Sequence, residues 1–109
     1  MHFAGLVGAR LVVSASFFDS PAPTGESVVA YQLRYMATDF DVQGRGYGAL
    51  VLDEAERSLA AIGVVLLWAY ARDSALGFYR ATGWSELEGT QHLSAETQLP
   101  HTTIVKRLS

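Results

Sequence analysis

The hydrophobic period of this chain changes between Thr38 and Ala49, and glycines mark the change. Upstream, Val29, Tyr31, Leu33 and Tyr35 alternate with Ala30, Gln32, Arg34 and Met36, the period of a strand running from Ser27 to Thr38. Downstream, Leu52, Ala55, Glu56, Leu59 and Ile62 recur at three- and four-residue spacing, with Asp53, Glu54 and Arg57 off the stripe. That is an amphipathic helix from Ala49 to Ala61, closed by Gly63. Between them lies Gln43-Gly44-Arg45-Gly46-Tyr47-Gly48. Glycines there allow close backbone approach and leave several N–H groups pointing one way. The helix that follows adds its own unpaired N–H groups and the positive end of its dipole. Together these form an anion cradle of the kind that holds phosphate or pyrophosphate. The alternative is a tight turn that only helps the helix pack.

The remaining elements follow from pattern. Phe3 to Val7 and Arg10 to Phe18 read as two strands turning near Gly8-Ala9. Residues 19–25, with two prolines and a glycine, read as a loop. Val64 to Tyr70 is a continuous apolar run that suits a strand buried on both faces. Asp73 or Ser74 caps a short second helix through Thr82, with Ala75, Phe78, Tyr79 and Thr82 facing the core and Gly83 closing it. Trp84 to Leu87 and Thr102 to Leu108 read as final strands, joined by a polar connection that forms a hairpin or an irregular loop. The order predicts an α/β architecture with a central mixed sheet.

At 109 residues the chain is expected to form one domain, residues 1–109. With half its residues apolar and 17% charged, it is globular rather than disordered. A net charge of −3 argues against a nucleic-acid partner. No apolar run is long enough to span a bilayer, and no export signal is legible, so no membrane partner and a cytoplasmic location are expected. With no cysteine there is no disulfide, thiolate metal site or cysteine nucleophile, and no metal is expected. The glycines are followed by Ala49-Leu50-Val51 rather than Lys-Ser/Thr, which argues against a P-loop. Their spacing at 44, 46 and 48, with no acidic residue ending the Val64–Tyr70 strand, argues against a dinucleotide fold.

Two motifs in order carry a more specific meaning. Gln43, Gly46 and Gly48 fit Arg/Gln-x-x-Gly-x-Gly/Ala after the strand that ends in Met36-Ala37-Thr38. Phe78-Tyr79 followed by Gly83-Trp84 fits a short helix carrying Phe-Tyr, then Gly and an aromatic. In these features the chain resembles the GNAT superfamily of acyl-CoA-dependent N-acyltransferases, over Gln32 to Trp84 and on toward Leu108. The resemblance implies a GNAT-like α/β fold with a mixed, mostly antiparallel sheet and flanking helices, here lacking the usual first strand and N-terminal helices. It implies acetyl-CoA (coenzyme A) as co-substrate. The N–H groups of Gln43, Gly44, Arg45, Gly46, Tyr47 and Gly48 would hold the pyrophosphate. Met36, Ala37 and Thr38 would offer backbone groups to the acetyl carbonyl and pantetheine, in a strand that splays from Val64–Tyr70. Phe78 would line the cofactor side. Arg45 would add charge near the phosphates or stand solvated; Arg72 would reach CoA, cap a helix or pair with Asp73.

The implied reaction is direct attack of a primary amine, on a small molecule or a peptide, on the thioester of acetyl-CoA. A backbone N–H near Ala37 would polarise the carbonyl. Tyr79 matches the tyrosine that protonates the departing thiolate, the alternative being a core aromatic with its hydroxyl satisfied by a neighbour. Many relatives carry a glutamate near the position of Gln32, and glutamine takes no proton. That leaves Glu26, Glu86, Glu88, His92 and His101 as candidate bases, or an amine that arrives deprotonated. A chain short for the superfamily would leave apolar surface uncovered, so a homodimer is expected. The alternatives are a non-catalytic acyl-CoA-binding module or degenerate GNAT domain, and a purely structural α/β domain.

Overall fold

A computed structural model describes residues 1–8, 10–39 and 45–109. The strands are β1 (His2–Val7), β2 (Arg10–Asp19), β3 (Ala30–Thr38), β4 (Leu66–Arg72), β5 (Ser85–Glu86), β6 (His92–Leu93) and β7 (Pro100–Arg107). The helices are α1 (Tyr47–Ala61) and α2 (Leu76–Ala81), the latter entered through a 3₁₀ turn at Asp73–Ala75. Strands run β1-β2-β3-β4-β7-β5 across the sheet, with β6 also paired to β7. Pairing is antiparallel except between β3 and β4, so the sheet is mixed and mostly antiparallel as expected.

Helix α1 covers one face of the sheet. Val51, Leu52, Ala55 and Leu59 are buried against Val13, Ala15, Phe17, Leu33, Leu67 and Ile104. Burial of each large side chain in this set contributes about 1.5–3 kcal/mol. Ile62, expected on the same stripe, is 56% exposed because it is already the C-cap residue. Both helices end in the same closure. Val64 N–H reaches Leu59 O and Gly63 N–H reaches Ala60 O after α1; Trp84 reaches Tyr79 O and Gly83 reaches Arg80 O after α2. With φ of 93° at both glycines, these are Schellman ends, as the positions of Gly63 and Gly83 predict.

Several boundaries differ from the sequence reading for identifiable reasons. β3 begins at Ala30 rather than Ser27, because the preceding loop folds back: Ser20 N–H reaches Ala30 O, and Trp68 Nε1 donates to Ser20 O at 3.0 Å. β4 begins at Leu66, since Val64 is held by the helix end. It is not buried on both faces throughout, as Tyr70 is 50% exposed. Neither Asp73 nor Ser74 makes a side-chain cap; the Asp73 carboxylate instead accepts a 2.7 Å bond from Thr102 Oγ1. On α2 the buried residues are Leu76 and Tyr79, while Phe78 is partly exposed. The polar connection contains β6, a hairpin partner for β7.

Glu56 lies on the core stripe of α1, and its burial has one cause. Lys106 Nζ donates to Glu56 Oε1 at 2.7 Å and to Thr82 O at 2.6 Å, tying β7 to α1 and to the end of α2. Glu56 Oε2 is buried with no hydrogen-bond partner among the described residues. Removing the lysine strands a carboxylate. Because a quarter of the Lys106 side chain is exposed, Lys106→Ala is expected to cost about 2–3 kcal/mol, the low end for breaking such a pair. The double variant Glu56→Leu/Lys106→Met is expected to recover most of that loss in urea unfolding; equal instability of both would mean the pair is not the link.

Candidate active site

The site begins where β3 and β4 part. Their parallel pairing covers only Ala30–Leu66, Tyr31–Leu67 and Gln32–Trp68. Immediately afterwards β3 carries a bulge: Phe17 of β2 faces Leu33 and Ser16 faces Tyr35, so Arg34 is the extra residue. A bulge bends its strand and increases local twist. Beyond it β3 stays with β2, through Thr38, while β4 stays with β7, through Arg72. The strands therefore splay, as the resemblance implies, and a cavity of about 550 Å³ opens between them.

The backbone bordering this cleft is decided by register. Asp39 N–H bonds Val12 O at 2.7 Å, and backbone polarity alternates along a strand. Ala37 thus directs its own N–H and C=O to β2, and Met36 directs its pair toward the cleft. Of the backbone near Ala37, the Met36 N–H is the one turned toward the cleft.

Below the cleft a second cavity, of about 600 Å³, is bounded by Met36 and Thr38 of β3, by Gly46 to Ala49 at the start of α1, and by Ala75, Phe78, Tyr79, Ala81 and Thr82. Helix α1 starts at Tyr47, two residues before the expected start at Ala49, with Gly46 as N-cap at φ 82°. Leu50 N–H is the first to bond back to Gly46 O. The N–H groups of Tyr47, Gly48 and Ala49 are therefore those that a helix start leaves open. The first turn holds no acidic residue, so nothing there competes with an anion.

The two described glycines act differently. A Cβ on Gly46 meets nothing within 4 Å, so its requirement is the left-handed backbone. A Cβ on Gly48 lies 3.3 Å from Met36 Cε and 3.4 Å from Phe78 Cζ, so there the requirement is space. Gln43 and Gly44 lie outside the described residues. Arg45 is exposed and is not among the residues that line the cavity. Arg72 ends β4, borders the cleft, and makes no ion pair with Asp73, whose carboxylate is engaged by Thr102.

Tyr79 borders both the cleft and the lower cavity. It is 8% exposed and stands edge-on to Phe78 and Trp84, with ring centroids 5.2 Å and 5.6 Å away. Burial raises its pKa, so the phenol holds its proton above the ordinary tyrosine range. Its hydroxyl makes no hydrogen bond to any described residue. Tyr79 belongs to the buried core cluster, as the alternative has it, but without the neighbour that would satisfy its hydroxyl.

On the outer side of the cleft lies a third cavity, of about 650 Å³. Trp68, Tyr70, His92 and His101 form a run of rings along it, with centroid separations of 5.2, 5.2 and 5.9 Å. Tyr35 and Glu96 also border it, and none of these except the two histidines stands out in the sequence. Pairing of β6 with β7 sets His92 opposite His101. That register is the missing signal, because the polar connection shows no alternation from which to read it. Of the other candidate bases, Glu26 is paired with Arg107 and Glu86 with Arg80. Glu88 borders none of these three cavities.

A scan against protein-family models finds no match. In sequence, the chain is 34% identical over 86 residues to a Bacillus subtilis (strain 168) protein named Uncharacterized N-acetyltransferase YitI; the match covers 79% of this chain and 58% of that relative. In structure, the ribosomal-protein-S18-alanine N-acetyltransferase from Escherichia coli superposes with TM-score 0.76 at 19% identity, over 100% of this chain and 69% of that one. An aminoglycoside 6'-N-acetyltransferase complexed with coenzyme A gives TM-score 0.76 at 12% identity, over 99% and 72%. The structural likenesses share this chain's overall fold, and the sequence relative carries an N-acetyltransferase name. The chain has an N-acetyltransferase-like fold and spans about three fifths of the length of the sequence relative it matches.

Proposed function

We propose that the chain is an N-acetyltransferase that moves an acetyl group from acetyl-CoA to a primary amine within a ternary complex. The observation that carries this is the position of Tyr79: a buried, protonated phenol without a hydroxyl partner, on the boundary between the α1 cavity and the β3–β4 cleft. In this reading the open N–H groups of Tyr47 to Ala49, with Gln43 to Gly46 before them, hold the pyrophosphate. Arg45 and Arg72 supply positive charge nearby. The pantetheine runs past Met36 to Thr38 and Phe78 into the cleft. There the N–H of Met36 polarises the thioester carbonyl, the amine forms the new C–N bond, and the C–S bond breaks. Tyr79 gives its proton to the departing sulfur and regains one from the nitrogen of the collapsing intermediate. The continuity of one sheet from β1 to β5 supports reading residues 1–109 as one catalytic domain.

Exposed Leu6, Val7 and Leu11 on the edge hairpin support the homodimer reading. Light scattering at micromolar concentration tests it; a monomer throughout would refute it. No helix is long and apolar enough to cross a membrane among the described residues.

Acetyl-CoA at about a hundredfold over its Kd is expected to raise Tm by on the order of 10 °C. Gly48→Val is expected to fold and to lose that shift, because its side chain would enter the space of Met36 and Phe78 at the groove. A retained shift would remove the cofactor assignment. Tyr79→Phe is expected to lower kcat about a hundredfold while leaving the acetyl-CoA Kd within about twofold. Equal loss of both would reduce Tyr79 to a packing role. Because burial raises the Tyr79 pKa, wild-type kcat is expected to hold as pH rises past about 10 and to fall only when the phenol ionises. Thiol release against a panel of amines separates the transferase from a non-catalytic acyl-CoA-binding module, which would show the Tm shift alone.

A further inference from the structure

We propose that His101 is the general base that takes the proton from the incoming ammonium, a role that rests on the transferase reading above. Three observations converge on it.

The first is tautomer. His101 Nδ1 lies 2.8 Å from the carbonyl oxygen of Leu99. A carbonyl only accepts, so Nδ1 carries the hydrogen, and the neutral ring presents its lone pair at Nε2. The same bond holds the ring orientation. An imidazole held in this way is already set up as a base.

The second is place. His101 is half-buried at the start of β7, opposite Arg72 of β4 and His92 of β6. It borders the outer aromatic cavity and also the β3–β4 cleft, which Tyr79 borders as well. An amine passing from the outer cavity toward a thioester in the cleft meets His101 on the way, and Tyr79 lies on the cofactor side. His92 makes the matching bond to Thr90 O at 2.8 Å but borders the outer cavity alone.

The third is what surrounds it. Gln32 borders the outer cavity and takes no proton. The charged and titratable groups that line these two cavities with His101 are Arg34 and Tyr35 from β3, Tyr70 and Arg72 from β4, Tyr79 from α2, His92 from β6, and Glu96 from the β6–β7 turn. Glu96 is the carboxylate among them, and it is exposed on the turn, whereas His101 is half-buried.

The protons balance. The ammonium R–NH3⁺ gives one proton to His101 Nε2 and becomes R–NH2. Its nitrogen bonds the acetyl carbon, and the C–S bond breaks. The second nitrogen proton replaces the one Tyr79 gives to sulfur. The products are the acetamide, CoA thiol and one proton, which leaves His101 for solvent.

The test measures thiol release over a range of pH with acetyl-CoA as donor. The acceptors are 2-phenylethylamine, spermidine and an alanine-headed hexapeptide, each tried separately. The proteins are wild type, His101→Gln, His92→Gln and His2→Gln; His2 bonds Ser16 and borders none of the three cavities. For an accepted amine, wild-type kcat/KM is expected to fall with unit slope on acidification. His101→Gln is expected to lower kcat/KM about a hundredfold near neutrality, to lose that limb, and to regain rate with added imidazole or as the ammonium deprotonates to the free amine at high pH. Its acetyl-CoA Kd is expected to match wild type, and His2→Gln to keep the wild-type profile. A wild-type rate and acid limb in His101→Gln would overturn the assignment, as would loss of the limb in His92→Gln alone. A wild type that binds acetyl-CoA but acetylates none of the three amines would overturn the transferase reading, and this proposal with it.

Discussion

Three residue pairs of parallel β-structure set the terms for the rest of this molecule. Ala30, Tyr31 and Gln32 hold β3 against β4, and at Arg34 the extra residue of a bulge bends β3 away. Each strand keeps its outer neighbour, so the sheet parts without either strand losing all its hydrogen bonds. The cleft consequently has backbone groups along one wall and side chains from β4, β7 and α2 along the other. A continuous sheet would have closed it and satisfied those groups internally.

Around that opening, the fold sorts its chemistry by side. Helix α1 starts below the cleft with open N–H groups and no acidic first turn. The aromatic run from Trp68 to His101 lies on the outer side. Tyr79 stands at the boundary because α2 is pinned at both ends: Asp73 to Thr102 at its entry, and Thr82 O to Lys106 at its exit. Lys106 also neutralises Glu56 within the face that α1 buries. The lysine that orders the helices is thus distinct from the groups that border the cleft.

Much of the local structure was legible because its causes are local. The change of period from strand to helix, the glycines at Gly63 and Gly83, and the turn residues between Asp19 and Gly25 act over a few positions, and the elements form close to where they point. The failures have a common origin as well. Asp73 has the chemistry of a cap, but Thr102 takes its carboxylate. Ile62 has the spacing of the core stripe, but the helix ends beneath it. Gly46 and Gly48 look equivalent in sequence; one is required for its backbone angle and the other for the space that Met36 and Phe78 leave it.

The sequence by itself determined the order of elements, the glycine-led start of α1 and the Phe78-Tyr79 helix, because periodicity and turn chemistry act within a few residues. The tertiary structure alone decided that Tyr79 and His101 border one cleft, that Met36 rather than Ala37 turns its backbone toward it, and that His92 faces His101. Each of those depends on strand register and on where a sheet divides. Such choices are made by pairing between segments far apart in the chain, as between Glu56 and Lys106, 50 residues apart, and a linear pattern does not encode which alignment wins.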